Sequence, residues 1–143
     1  MSEFQLEQFL PYQLAVIANR VSGQFSQKYH KRFGISIAEW RVVAHLAQSE
    51  KVSIREVFRK VEMDKSKVSR AAARLEKSGY VLKEINPSDR RLIELSLTVK
   101  GRAMANEIGP MGLAFEADLL NALPKEDRDG FLAAIKILMD DQT

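Results

Sequence analysis

The chain has 143 residues, 45% of them apolar and 29% charged, which fits one soluble globular domain and excludes a disordered or fibrous chain. It has no cysteine, which excludes disulfides, thiolate metal sites and cysteine nucleophiles. No apolar run approaches the ~18 residues of a membrane span, and the mixed, acidic stretch from Met1 to Phe9 is no secretory signal, so a cytoplasmic protein is expected.

The net charge of +3 is unevenly spread. Residues 51–102 hold 14 Lys/Arg and 7 Asp/Glu, the remainder 8 and 12, so a basic block sits between acidic flanks. Such asymmetry points to a polyanionic partner, with nucleic acid first in line.

In chain order, Leu6, Leu10, Leu14, Ile17, Val21, Phe25 and Tyr29 recur every three or four residues, one stripe of a long helix over 6–33 that Gly34 ends. Ser36-Ile37-Ala38-Glu39 has the spacing of a capping box and opens a second helix through Leu46; Ser53-Ile54-Arg55-Glu56 opens a third. A fourth starts at Asp64 or Ser66, runs to about Lys77 and stops at Gly79. Three short helices joined by tight connections make a helix-turn-helix candidate.

The period then changes to two. Tyr80 to Ile85 favours strand, Ile93, Leu95 and Leu97 alternate with Glu94 and Ser96, and Asn86-Pro87-Ser88-Asp89 is a turn between them. Thr98 caps a second long helix striped by Met104, Ile108, Met111, Phe115 and Leu119, which Gly109-Pro110 should kink or break. Pro124, followed by Glu126 and Asp127, starts a last helix bearing Phe131, Leu132, Ile135 and Leu138.

The expected fold is mainly α with a small β-hairpin wing. A winged helix-turn-helix module over 35–100 lies within a single domain, 1–143, between helical segments 1–34 and 101–143. The terminal stripes either complete the chain's own core or interlock with a second copy.

On a helical wheel of the 64–77 segment, Val68, Ala71, Ala72 and Leu75 face inward. Ser66, Arg70, Ala73 and Lys77 lie opposite, with Lys67, Ser69 and Arg74 on the shoulders. There is no acid between Lys65 and Leu75, whereas an ordinary solvated helix mixes Glu among its cations. This is the chemistry of a major-groove helix: Arg bonds guanine bidentately, Ser bonds either base edge, and a small Ala admits the backbone or touches a thymine methyl. Lys67 and Arg74 suit phosphates. The candidate DNA-binding set is therefore Lys65, Ser66, Lys67, Ser69, Arg70, Ala73 and Arg74, joined at the hairpin tip by Asp89, Arg90 and Arg91. A guanidinium arm can enter a narrow minor groove, and Asp89 reads as a brace for a neighbouring Arg rather than as a contact.

Four pieces, Ser66-Lys67-Val68-Ser69-Arg70, Leu75 to Val81, Asp89-Arg90-Arg91 and Leu97-Thr98-Val99-Lys100-Gly101, resemble the MarR (multiple antibiotic resistance regulator) winged helix-turn-helix transcription factors. The resemblance implies an obligate homodimer built from the terminal helices and binding to an inverted-repeat, double-stranded DNA operator. It implies Ser66 to Arg74 as recognition helix and Arg91 as the wing arginine of the minor groove. Many relatives are repressors released by small aromatic or lipophilic acids. This chain has Lys83 where relatives often carry Arg. The lack of Cys excludes the peroxide-sensing branch's mechanism, and His30 and His45, the two imidazoles, are few for the zinc-sensing branch.

No Walker-type glycine loop, His-Glu-x-x-His or Gly-x-Ser-x-Gly occurs, so no enzyme and no cofactor are expected. Two other readings compete with the regulator: a winged helix used as a protein-interaction module, and a DNA-binding scaffold without an effector. Dense Lys/Arg and few aromatics on the 64–77 helix weigh against the first.

Overall fold

The computed structural model describes residues 3–140; Met1, Ser2 and residues 141–143, the ends of the two terminal segments, lie outside the described residues. The chain divides into two compact units, one through Ile108 and one from Gly109.

The first unit opens with a 3-10 turn, Leu6–Gln8, followed by α1 (Leu10–Phe33). The helix expected over 6–33 is thus split at Phe9, whose backbone is extended. Pro11 supplies the reason: in a first turn its missing N–H costs nothing, so it starts a helix afresh. Gly34 ends α1 in the left-handed region at φ 74°, its N–H bonded to the His30 carbonyl.

At α2 (Ile37–Leu46) the capping box is complete. Ser36 Oγ accepts the Glu39 N–H and Glu39 Oε1 accepts the Ser36 N–H, each at 3.2 Å. Ser53 likewise accepts the Glu56 N–H at the start of α3 (Ile54–Val61), and α4 (Lys65–Lys77) follows after a three-residue turn.

Three strands complete the unit. β2 (Val81–Ile85) and β3 (Ile93–Leu97) form the expected hairpin, with Val81 opposite Leu97 and Ile85 opposite Ile93. A two-residue strand with no sequence signature, β1 (Val52–Ser53), pairs with β3 and gives the antiparallel order β1-β3-β2.

The core of this unit draws on every helix from α1 to α5. Tyr29, Val43, Leu46, Val57, Leu75, Leu95 and Ile108 are fully buried. Tyr29 meets Phe25 edge-on at 5.1 Å and Trp40 at 5.8 Å between ring centroids. Burial pushes its phenol up to about 12, with Arg41 pulling weakly the other way.

The C-terminal end of α4 is clamped to the start of α5 (Val99–Asn121). Thr98 Oγ1 donates to the Gly79 carbonyl at 2.6 Å and accepts the Gly101 N–H at 3.0 Å. The Thr98 N–H reaches the Tyr80 carbonyl, and Lys100 Nζ donates to the Ser78 carbonyl at 2.8 Å. A Cβ on Gly101 would collide with the Tyr80 carbonyl oxygen, so only glycine fits.

α5 runs through Pro110 without a break, so of the kink or break expected at Gly109-Pro110 the break does not occur. Proline at 110 deprives the Asn106 carbonyl of its helical donor, but Asn106 is exposed, where water can take that place.

The second unit contains the rest of α5 and α6 (Lys125–Asp140). The Arg128 guanidinium closes the turn between them, donating to the Leu120 carbonyl at 3.1 Å and the Leu123 carbonyl at 3.3 Å. α6 buries none of its residues, and Phe131, Leu132, Ile135 and Leu138 are 37% to 52% exposed. In the first unit Leu10, Leu14 and Ile17 are uncovered to a similar degree. Among the described residues no helix is long and apolar enough to cross a membrane.

Candidate nucleic-acid interface

The helix-turn-helix is built by local chemistry. α3 stops because Glu62 turns into the left-handed region at φ 51°, a conformation that non-glycine residues adopt at some cost. Asp64 then caps α4, accepting the Lys67 N–H at 3.0 Å and the Ser66 hydroxyl at 2.7 Å. The Ser66 hydroxyl, and next the Lys67 amide, hold the Asp64 carboxyl below its ordinary range.

Val68, Ala71, Ala72 and Leu75 are all buried, as the wheel requires. Lys65, Ser66, Lys67, Ser69, Arg70, Ala73 and Arg74 are all exposed. The buried row fixes the helix against α2 and the sheet, and the basic, hydroxylic row is left to solvent. Lys65 turns back over the Phe58 ring of α3, 6.0 Å from its centroid.

Three of these cations, Lys67, Arg70 and Arg74, line one side of an open groove of about 720 Å³. The other side is the first turns of α2, with Ser36 and Arg41. Arg41 and this helix start did not stand out in the sequence: Arg41 is one cation on a short amphipathic helix, and nothing local says that it meets α4. Arg74, expected to be a free phosphate contact, has a partner within the chain. Its Nε lies 3.4 Å from Oε1 of Glu39, which is largely buried. The two residues are 35 apart, beyond the reach of any motif.

The wing tip is ordered by its own turn. Asn86 Oδ1 accepts the Ser88 and Asp89 N–H groups, and Asp89 accepts the Arg91 N–H at 3.1 Å. The same carboxylate grips the Arg91 side chain through Nε at 3.1 Å and Nη2 at 3.2 Å. These bonds, from the side chain first and the backbone second, lower the Asp89 carboxyl below its usual range, and the Arg55 charge adds to them. Arg91 is braced yet 85% exposed, and Arg90 is exposed beside it. Lys83 is exposed on β2 opposite Leu95. His30 lies at the end of α1 with Nδ1 3.2 Å from the Ile35 carbonyl, and His45 on α2 has its Nε2 buried and unbonded.

An exposed basic helix after a tight turn, backed by a small sheet with a charged hairpin tip, defines a winged helix-turn-helix protein. Residues 33–92 match the MarR family. The transcriptional repressor MdtR of Bacillus subtilis is 28% identical over 127 residues, spanning 89% of this chain and 77% of MdtR. A MarR family transcriptional regulator from Silicibacter pomeroyi superposes with a TM-score of 0.83 at 25% identity, covering 96% of this chain and 98% of that one. Bordetella bronchiseptica BpsR shares the fold at 20% identity, with a TM-score of 0.84 over 99% and 100% of the two chains. The family match thus falls on the helix-turn-helix and wing, and the structural neighbours are MarR-family transcriptional regulators. Its relatives are regulators of transcription, not enzymes.

Proposed function

We propose that the chain is a ligand-responsive repressor that binds an inverted-repeat DNA operator as a homodimer. The observation that carries this reading is the acid-free, exposed face of α4 from Lys65 to Arg74, set beside a groove whose far wall adds Arg41. On this reading Arg70, Ser66, Ser69 and Ala73 read base edges, Lys65, Lys67 and Arg74 take phosphates, and Arg90 and Arg91, with Asp89 as brace, enter the minor groove.

Dimerisation is supported by the uncovered apolar stripes of α1 and α6, which a single chain leaves in water. On this reading residues 1–34 and 101–143 make the dimer and 35–100 the DNA-binding module. Repression is supported by MdtR, a repressor. A small-molecule effector is supported by BpsR, whose DNA binding is regulated by 6-hydroxynicotinic acid. The test is selection of bound duplexes from a random DNA pool. Enrichment of an inverted repeat is expected; recovery of no consensus overturns the operator reading.

A further inference from the structure

Glu39 is placed where an acid is unfavourable. It lies behind Arg74 at a groove lined by Arg41, Lys67, Arg70 and Arg74 and also by Glu62 and Asp64, and its negative charge adds to theirs in lowering the potential that would attract a polyanion. The hydrogen bond of the α2 cap does not require the charge, although the positive end of the helix dipole favours it. The third residue of a capping box serves equally well as Gln or Glu, because the bond to the Ser36 N–H needs only a side-chain oxygen. What the carboxylate adds over an amide, beyond its attraction to the start of α2, is a charged partner for Arg74.

The geometry gives that partnership a direction. One oxygen, Oε1, receives the Ser36 N–H at 3.2 Å and Arg74 Nε at 3.4 Å, so the amide of the cap residue of α2 and the inner nitrogen of the Arg74 guanidinium converge on a single atom. The Glu39 side chain is 10% exposed and that of Arg74 is 54% exposed. Holding Arg74 at Nε leaves the two terminal nitrogens, with four N–H donors, at the open end of the side chain.

We propose that Glu39 is a positioning residue for DNA binding: it fixes Arg74 at Nε so that the terminal nitrogens meet a backbone phosphate lying in the groove between α2 and α4. The inference rests on the reading of α4 as the DNA-binding helix. It assigns Glu39 a favourable effect on binding although its charge opposes DNA. An Arg74 already held in place loses less freedom when the phosphate arrives.

The opposed signs make the test sharp. Binding of a mixed-sequence duplex is measured across a salt series for wild type, Glu39→Gln, Arg74→Ala and the double variant. Glu39→Gln keeps the oxygen that caps α2 and removes the charge, so electrostatics alone predicts tighter binding. Positioning predicts binding weaker by about 3- to 10-fold in the wild-type background, and no weakening in the Arg74→Ala background, where the acid has nothing left to hold. Equal weakening in both backgrounds would mark a folding defect, and tighter binding in the wild-type background would mark a plain repulsive charge. Either result overturns the proposal while leaving DNA binding intact. A wild-type chain that binds no duplex at any salt concentration overturns the DNA-binding reading and this inference with it.

Discussion

α4 and the terminal helices are both amphipathic, and they end up in opposite situations. α4 lays a row of four small and medium apolar residues into a closed core and presents cations to solvent. The terminal stripes carry larger residues, such as Leu10, Ile17, Phe131 and Leu132, and leave them about half exposed. The same periodicity therefore serves two ends: in α4 it completes the fold of one chain, and at the termini it remains unfilled. The packing row of α4 is closed within the chain, and the outer rows of α1 and α6 are not.

The largest effect should come from charging the unfilled stripes. Leu14→Glu combined with Ile135→Glu is expected to give a folded monomer by sedimentation, with normal helical circular dichroism. Its affinity for a two-site operator should fall by about 100-fold or more, because the second half-site contact is lost. A variant that stays dimeric would break the contrast.

Next in size is one chemical change made in both regions. Leu75→Ala should cost about 2–5 kcal/mol at any protein concentration, since Leu75 is fully buried. Leu132→Ala should act only through association, so that its melting temperature converges on that of wild type upon dilution. Thermal unfolding across a concentration series separates the two.

Smaller effects test the outward face. Arg70→Ala should remove about 1–3 kcal/mol of discrimination at one operator position, read from selected consensus sequences. Arg91→Ala should leave that consensus in place and make the log K against log[salt] slope shallower by roughly 1 to 2 units, two wings acting together at ~0.9 per phosphate contact. Parallel salt lines would remove the wing from the interface.

The smallest effect is a pH dependence. The Asp64 carboxyl is held below its ordinary value in the folded chain, so its contribution to stability is complete above about pH 4 and is lost as the pH falls through the folded value. Asp64→Asn caps α4 with an amide oxygen that does not titrate. Wild type should therefore lose stability relative to this variant only on the acid side, measured as denaturation midpoints against pH.

What could be read beforehand depended on how far apart the interacting residues lie. The capping box at Ser36 and Glu39, the stop at Gly34, the inward row of α4 and the strand of β3 are all signalled within a few residues, and each stands in the structure as read; the alternation along β3 does not carry over into burial, where Leu95 alone is buried. β1 escaped because two residues carry no periodicity and their partner strand lies some forty positions on. The split at Phe9 was signalled by Pro11, yet an unbroken apolar stripe across it masked the signal. The groove was half legible. Its α4 wall follows from a wheel, but Arg41 and the Glu39–Arg74 pair depend on how two helices cross.

The clamp at Gly101 has a mechanical consequence. The end of α4 and the start of α5 meet with no room for a single added carbon, and three hydrogen bonds tie Ser78, Gly79 and Tyr80 to Thr98 and Lys100. Such a joint has little play. A tilt of the first turn of α5 is passed to α4 as displacement instead of being absorbed by a soft linker. Both strands of the wing are rooted in the same joint, so helix and wing turn together like two teeth on one key.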